Sequence, residues 1–437
     1  MQKKIHLLVC SLALCIMAFS CQQQTERDTI GITNPDSLDS VLHNFVQEGF
    51  YPFIYARLEN IDGEVLYEYS SVNEELLPDE NINGDTWIRI WSMSKIVTIS
   101  VVLDLIEEGV LALNDPVSAY IPEFKDLPVA VSNSGKSLLE YTWGEKGNAC
   151  PIKFVANNSI MTIRQLLTHE AGFYYATTGF ACLDSMIASQ NLPKAKNSED
   201  LIQRMSQLPL IQHAGTKYHY GTNTTVLGLL AERATHKSLK QLVEERITEP
   251  MKIEGLRYGL PVGEKLLPTF TGRDSVLRKA KRGELDIFGP DVPDYDMEHP
   301  LYLGGEGMLG TADGYADFLR MLLKRGELNG YRYLNTETVE EMHAPQTQLD
   351  NPYGHDGYNL WVSGDSMKIK GHGDAGLWIG GGYECTHFWA DPKRNFVGII
   401  MSQNNEVRAP GYELNDKFRA ELYKQLWASE KKDANFD

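Results

Sequence analysis

With 437 residues, a formal charge of −18 and a pI near 5.1, the chain is too long for one simple core and too acidic to favour nucleic acid or an anionic membrane surface as partner. Its 6 cysteines are irregularly spaced, and His169, His213, His219, His372 and His387 lack zinc-site spacing, so neither a disulfide framework nor a metal centre is indicated. A Walker motif, solenoid repeats and a Gly-x-Ser-x-Gly elbow are all absent from the sequence; no cofactor is expected and an α/β-hydrolase is set aside.

Residues 1–20 pair a basic head, Lys3-Lys4, with an apolar stretch too short to span a bilayer, the pattern of a secretory signal. Ala18-Phe-Ser-Cys21 resembles a bacterial lipoprotein processing site. Cys21 would then carry a lipid, residues 21–40 would be a polar tether, and the protein would be exported to the periplasm or cell envelope. The competing reading is an ordinary signal cut nearby, with Cys21 unmodified. Export leaves Cys21, Cys150, Cys182 and Cys385, and a single Cys150–Cys182 bridge stays open.

The first structured element is an amphipathic helix over Ser37 to Gly49, with Leu38, Val41, Leu42 and Phe45 on one face. Two β-rich runs between Phe53 and Tyr69, hinged at Asp62-Gly63, predict an antiparallel hairpin. The run from Trp87 to Ile106 follows and carries Ser92 and Lys95. One helical turn separates them, so they share a face about 5–6 Å apart. The residues after them are apolar on nearly every side, which predicts a helix in the centre of a domain, stopped by Gly109. A serine at a helix start faces unsatisfied N–H groups that can receive an oxyanion, and a lysine in an apolar helix can serve as its base. The bland alternative is a capping serine with a snorkelling lysine. The other Ser-x-x-Lys, Ser429 to Lys432, lies in a charged tail and predicts nothing.

The flanks of Ser92, then Asp115-Pro-Val, Tyr120-Ile-Pro-Glu, Leu166-Leu-Thr-His-Glu-Ala-Gly172, Gly304 to Leu319 and Phe388-Trp-Ala-Asp-Pro392, resemble the serine β-lactamase-related family in its own order. That family spans class C β-lactamases, penicillin-binding proteins and similar esterases. The resemblance covers residues 41–437. It implies an α+β, β-lactamase/transpeptidase-like fold: an antiparallel sheet flanked by helices (about 41–115 and 295–437) with an inserted, mainly helical lobe (about 116–294). In that lobe helical patterns over Ile163–Leu167, Leu201–Leu208, Thr225–Ala234 and Leu239–Ile247 alternate with Gly/Pro/Asn-rich connections, and residues 143–151 and 275–293 are expected as long loops. Strands are expected at Tyr358–Val362, Met367–Lys370, Thr386–Ala390 and Phe396–Met401, before a closing helix striped by Phe418, Leu422, Tyr423 and Leu426.

The resemblance also implies site residues. A tyrosine facing the serine falls on Tyr220, with Tyr218 as alternative and a core aromatic as the structural reading. Thr222 stands where β-lactamases carry asparagine. The cleft-edge motif falls on Gly380-Gly381-Gly382, with an N–H near Tyr383 completing an oxyanion hole with that of Ser92; a Gly-rich turn between strands competes. His372-Gly373, a histidine beside a glycine, stands several residues too early. Glycine at 380 removes the usual cationic partner of a carboxylate, which favours an exported esterase or amidase acting through a Ser92 acyl-enzyme over a β-lactamase or D-alanyl-D-alanine carboxypeptidase. A binding or sensor protein of the same fold is the remaining class. The expected partner is a small ester or amide, with membrane contact only through a lipid on Cys21. Whether Lys95 or Tyr220 is the principal base stays open.

Overall fold

Pro35 sits in the first turn of helix α1 (Pro35–Gln47), where a missing N–H costs no hydrogen bond, and Leu38, Leu42, Phe45 and Val46 bury the apolar face. The computed structural model describes residues 31–295, 300–347 and 353–433. Residues 1–20 and Cys21 lie outside them. Because α1 starts ahead of Ser37, the last part of the stretch expected as a tether over 21–40 is packed helix instead.

Strands β1 (Phe53–Asn60) and β2 (Val65–Val72) form the expected hairpin. The other strands of the main sheet come from the far end of the chain: β3 (Gly354–Asp356), β4 (Trp361–Ser363), β5 (Trp378–Gly382), β6 (Thr386–Asp391) and β7 (Phe396–Met401). Their order is β3-β4-β5-β6-β7-β1-β2, antiparallel throughout, so β1 meets β7 across the sequence (Tyr55 opposite Met401). The closing helix, Leu414–Asp433, buries Phe418, Leu422, Tyr423 and Leu426 as its stripe predicts.

Between these ends runs α2 (Ser94–Glu107), in which every residue from Ser94 to Leu103 is buried. It packs against α3 (Asn223–Thr235), which likewise buries Asn223 to Ala231. Residues 116–294 add the helices Ile163–Leu167, Ala181–Gln190, Ser198–Met205 and Leu239–Val243. None of that segment's strands joins the main sheet among the described residues. One continuous apolar core runs from Phe53 through α2 and α3 to Met401, and Ile32–Asp437 forms one unit.

Three local expectations are corrected. Met367–Lys370 is not a strand but part of the exposed helix Asp365–Ile369; so short a run satisfies a period of 2 and a helical turn equally well. The expected strand from Tyr358 starts only at Trp361, because Asn359 (φ 53°) turns the chain between β3 and β4. The helix from Leu239 does not run unbroken to Ile247: Pro250 interrupts the ladder, and Glu244–Thr248 widens to a π turn. Cys150 and Cys182 form a disulfide that ties the 143–151 loop to the helix Ala181–Gln190.

Candidate active site

Trp91 precedes the serine with φ of +46°, a region a bulky residue seldom occupies. Its surroundings hold it there: Nε1 donates to Glu384 at 2.8 Å, and its ring meets Tyr295 and Tyr383 edge-on at 5.6 and 5.3 Å. Ser92 then lies in a 3-10 turn (Trp91–Met93) and is the only residue from Ile90 to Leu103 that is not buried. It makes no cap bond, because α2 proper begins at Ser94. Lys95 does not snorkel; its side chain is fully buried. Both halves of the bland alternative for this pair therefore fail.

The Lys95 amine lies 3.1 Å from Ser92 Oγ, 2.9 Å from Tyr175 Oη and 2.9 Å from the Gly305 carbonyl. Glu306 Oε1 is 3.4 Å away. Glu306 is itself fully buried and accepts from Tyr175 Oη and, at 2.6 Å, from Thr225 Oγ1 of α3. The 303–308 segment is pinned to α2 through Thr98, which donates to the Gly304 carbonyl, and Ser94, which accepts from Met308 N. A Cβ at Gly305 would stand 3.1 Å from the Lys95 nitrogen, so glycine there makes room for the amine.

The phenol bonded to Lys95 is Tyr175's, not that of Tyr220. Tyr175 is buried, and burial followed by the Glu306 charge pushes its phenol well above the ordinary range. Tyr220 lies beside it, ring centroids 5.9 Å apart, with the Lys95 amine 5.0 Å from the Tyr220 ring. Tyr220 is 37% exposed, so of the two tyrosines it is the one that reaches solvent. Tyr218 turns elsewhere, edge-on to His169 and facing Asp356. Thr222 is buried just before α3, its side chain makes no cap bond there, and no hydrogen bond ties it to Ser92 or Lys95 among the described residues. The next residue, Asn223, is equally buried and bonds to His169.

Gly380, Gly381 and Gly382 form the end of β5, not a turn. β4 pairs only with Trp378 and Ile379, so the three glycines have β6 on one side and no described strand on the other. A Cβ on Gly382 would lie 2.5 Å from the Ile90 carbonyl, which shows how closely β5 approaches the Ser92 turn. Tyr383 follows; its hydroxyl donates to Asp286 at 3.0 Å, and burial first pushes that phenol up to about 12. Trp91 and Tyr295 also line a cavity of about 420 Å³ with Arg89, Thr269 and Leu285, a space of small-molecule size beside the turn. His372 lies away from this group, against Asp416.

Tyr175, Thr225, Glu306 and His169 were not singled out as site residues from the sequence. The quoted blocks Leu166–Gly172 and Gly304–Leu319 carried or flanked three of them, but neither block says which side chain turns inward.

The profile describing the family Beta-lactamase matches residues 60–421. Uncharacterized protein MT1414 of Mycobacterium tuberculosis is 28% identical over 337 residues, covering 73% of this chain and 78% of that one. Lovastatin esterase of Penicillium rubens is 24% identical over 402 residues, 84% of this chain and 92% of its own. Among solved structures, EstCE1, a hydrolase with promiscuous acyltransferase activity, superposes with a TM-score of 0.69 at 17% identity, over 90% of this chain and 98% of EstCE1. At that identity the likeness speaks for the fold alone, and the fold is the β-lactamase/transpeptidase-like one.

Proposed function

Because the chain belongs to the Beta-lactamase family, whose members similar to it include an esterase by name, we propose that it is an exported serine hydrolase that cleaves a small ester through a Ser92 acyl-enzyme. The observation that carries this reading is the buried Lys95 amine 3.1 Å from a partly open Ser92 hydroxyl.

To serve as base the Lys95 amine needs its lone pair free, so it acts after giving up its third proton. Two hydrogens point to the Gly305 carbonyl and the Tyr175 oxygen, and the lone pair faces Ser92 Oγ–H. Ser92 Oγ attacks the acyl carbon as its proton passes to Lys95. The oxyanion is received by N–H groups of Ser92 and of the free edge at Gly380–Tyr383. Tyr220, on the open side, hands a proton to the departing alkoxide, which leaves as the alcohol; water then attacks the acyl-enzyme by the same route in reverse. Tyr175 is too deeply enclosed to touch substrate, so its part is to orient the amine. An alcohol in place of water gives acyl transfer by the same steps.

An ester is favoured over a β-lactam or a peptide carboxylate because β5 presents no cation at Gly380. Export is favoured by the leader and by the Cys150–Cys182 bridge, since disulfides persist in oxidising compartments. A lipid on Cys21 remains part of the proposal. The test offers purified mature protein a short-chain p-nitrophenyl ester, a chromogenic cephalosporin and a fluorophosphonate, beside Ser92→Ala. Ester turnover and labelling are expected, with Ser92→Ala reducing turnover by about 10⁴-fold or more. Activity surviving Ser92→Ala removes Ser92 from the site; no reaction with any reagent turns the assignment towards a binding protein.

A further inference from the structure

His169 has no part in the steps above, yet it is fully buried and holds the left-handed backbone region at φ of +55°. A non-glycine residue stays there only where its surroundings over-determine it. The Gly221 N–H points at Nδ1 from 3.4 Å, and the Asn223 amide lies 3.0 Å from the same nitrogen. A backbone N–H can only donate, so Nδ1 accepts and Nε2 carries the hydrogen, which it gives to Asn359 Oδ1 at 2.9 Å. Burial first, and then the Lys95 charge, hold the imidazole's pKa at about 3, so the ring is neutral. Its main-chain carbonyl accepts from His219 N at 2.8 Å. The ring stacks on Tyr220 with centroids 4.8 Å apart and planes at 28°.

His169 thus grips His219, Gly221 and Asn223 and lies flat on the residue enclosed by them. We infer that His169 is the positioning residue of Tyr220: it fixes the phenol over the cleft through one stack and the bonds at Nδ1, and it is braced in turn by Asn359 from the turn between β3 and β4. This deepens the proposed function and rests on Tyr220 being the proton relay to the leaving group.

The test uses leaving-group dependence, which a general loss of stability would not produce. p-Nitrophenolate departs without a proton, whereas an alkoxide needs one. For His169→Phe and His169→Asn, kcat/KM on an ethyl ester, which reports acylation alone, is expected to fall about 100-fold, the cost of a small misplacement of a catalytic group. On the p-nitrophenyl ester of the same acid the loss in kcat/KM should stay below about 10-fold; kcat does not discriminate, because both esters share the deacylation step that Tyr220 also serves. Tyr220→Phe should show the same selective loss, and His169→Phe combined with Tyr220→Phe should lose no more than Tyr220→Phe alone. Asn359→Ala, which removes only the brace, should give a weaker version and serves if His169→Phe does not fold. Equal losses on both esters, or additive losses in the double variant, overturn the inference. A second readout does not depend on turnover: fluorine NMR of fluorotyrosine-labelled protein, with the Tyr220 resonance assigned by Tyr220→Phe. A moved or broadened resonance in His169→Asn supports the inference even if neither ester is hydrolysed, and an unmoved one overturns it.

Discussion

Lys95 and Glu306 are both fully buried and 3.4 Å apart, and such a pair is far costlier to break than to keep, because the survivor is left as an uncompensated charge. Glu306→Ala is therefore expected to lose about 3–5 kcal/mol of folding stability in urea denaturation. Glu306→Gln, which can still accept from Thr225 and Tyr175, should lose less. A stability for Glu306→Ala equal to wild type would mean that the pair contributes nothing to the fold. At this scale the sequence was legible where chemistry is local. Ser92 and Lys95 lie one turn apart, and an apolar helix around a lysine is a physical signal in itself. Glu306 arrives from 211 positions away, in a glycine-rich stretch with no period, so nothing short-range announces that it turns inward. Tyr175 and Tyr220 look alike as letters; only burial separates the phenol that holds the amine from the tyrosine that reaches solvent.

Elements place these residues by close approach. Gly382→Ala would set a Cβ 2.5 Å from the Ile90 carbonyl and 2.3 Å from Thr386 Oγ1, so β5 must move off the Ser92 turn. The expected result is a cost of about 1–3 kcal/mol, with turnover falling further than stability accounts for; unchanged kcat beside a lowered melting temperature would separate β5 from the chemistry. The Cys150–Cys182 bridge closes a loop with a sequence separation of 32, for which chain entropy gives about 3–4 kcal/mol. Replacing both cysteines by serine should lower the denaturation midpoint accordingly, and removal without effect would mean that the unfolded chain is no freer without it. The hairpin, α2 and the strands β6 and β7 were readable because each carries a long or strongly β-rich run. The helix Ala181–Gln190 went unassigned, with only Leu183 and Ile187 buried, and Met367–Lys370 was too short for its period to decide.

Across the whole molecule, titration follows burial. His169 (about 3), His219 (about 4) and His387 (well below the ordinary value) are all pushed down chiefly by burial. Below about pH 6.5 the unfolded chain therefore binds protons that the native one refuses, and stability falls as pH falls. Asp356 acts in the opposite sense: burial raises it from 3.8 to about 7, so its contribution is complete at low pH and is lost as pH rises through that window. Asp104, Glu232, Asp313 and Glu384, likewise raised by burial first, act with Asp356, and His343 acts with the other imidazoles. The Asp356 part is read by difference: from pH 7 to pH 4.5 the urea midpoint of Asp356→Asn should change less favourably than that of wild type, and an equal change would contradict the raised Asp356 carboxyl. The overall architecture, a sheet built from both chain ends around helices from the middle, was legible through the family blocks. The single shared core was not, because lengths and patterns suggest lobes without saying how tightly they fuse.

The bare end of β5 has a consequence for discrimination. Three successive positions offer main chain and no side chain, so that rim can register a guest's carbonyl but not the rest of its shape. On the proposed function, selectivity then falls to side chains around the cavity beside the Ser92 turn, Leu285 and residues 291–294 among them. Exchanging residues 291–294, with Phe288 and Tyr295 kept against Tyr175 and Trp91, should change which acids are accepted while Ser92 and Lys95 stay in place.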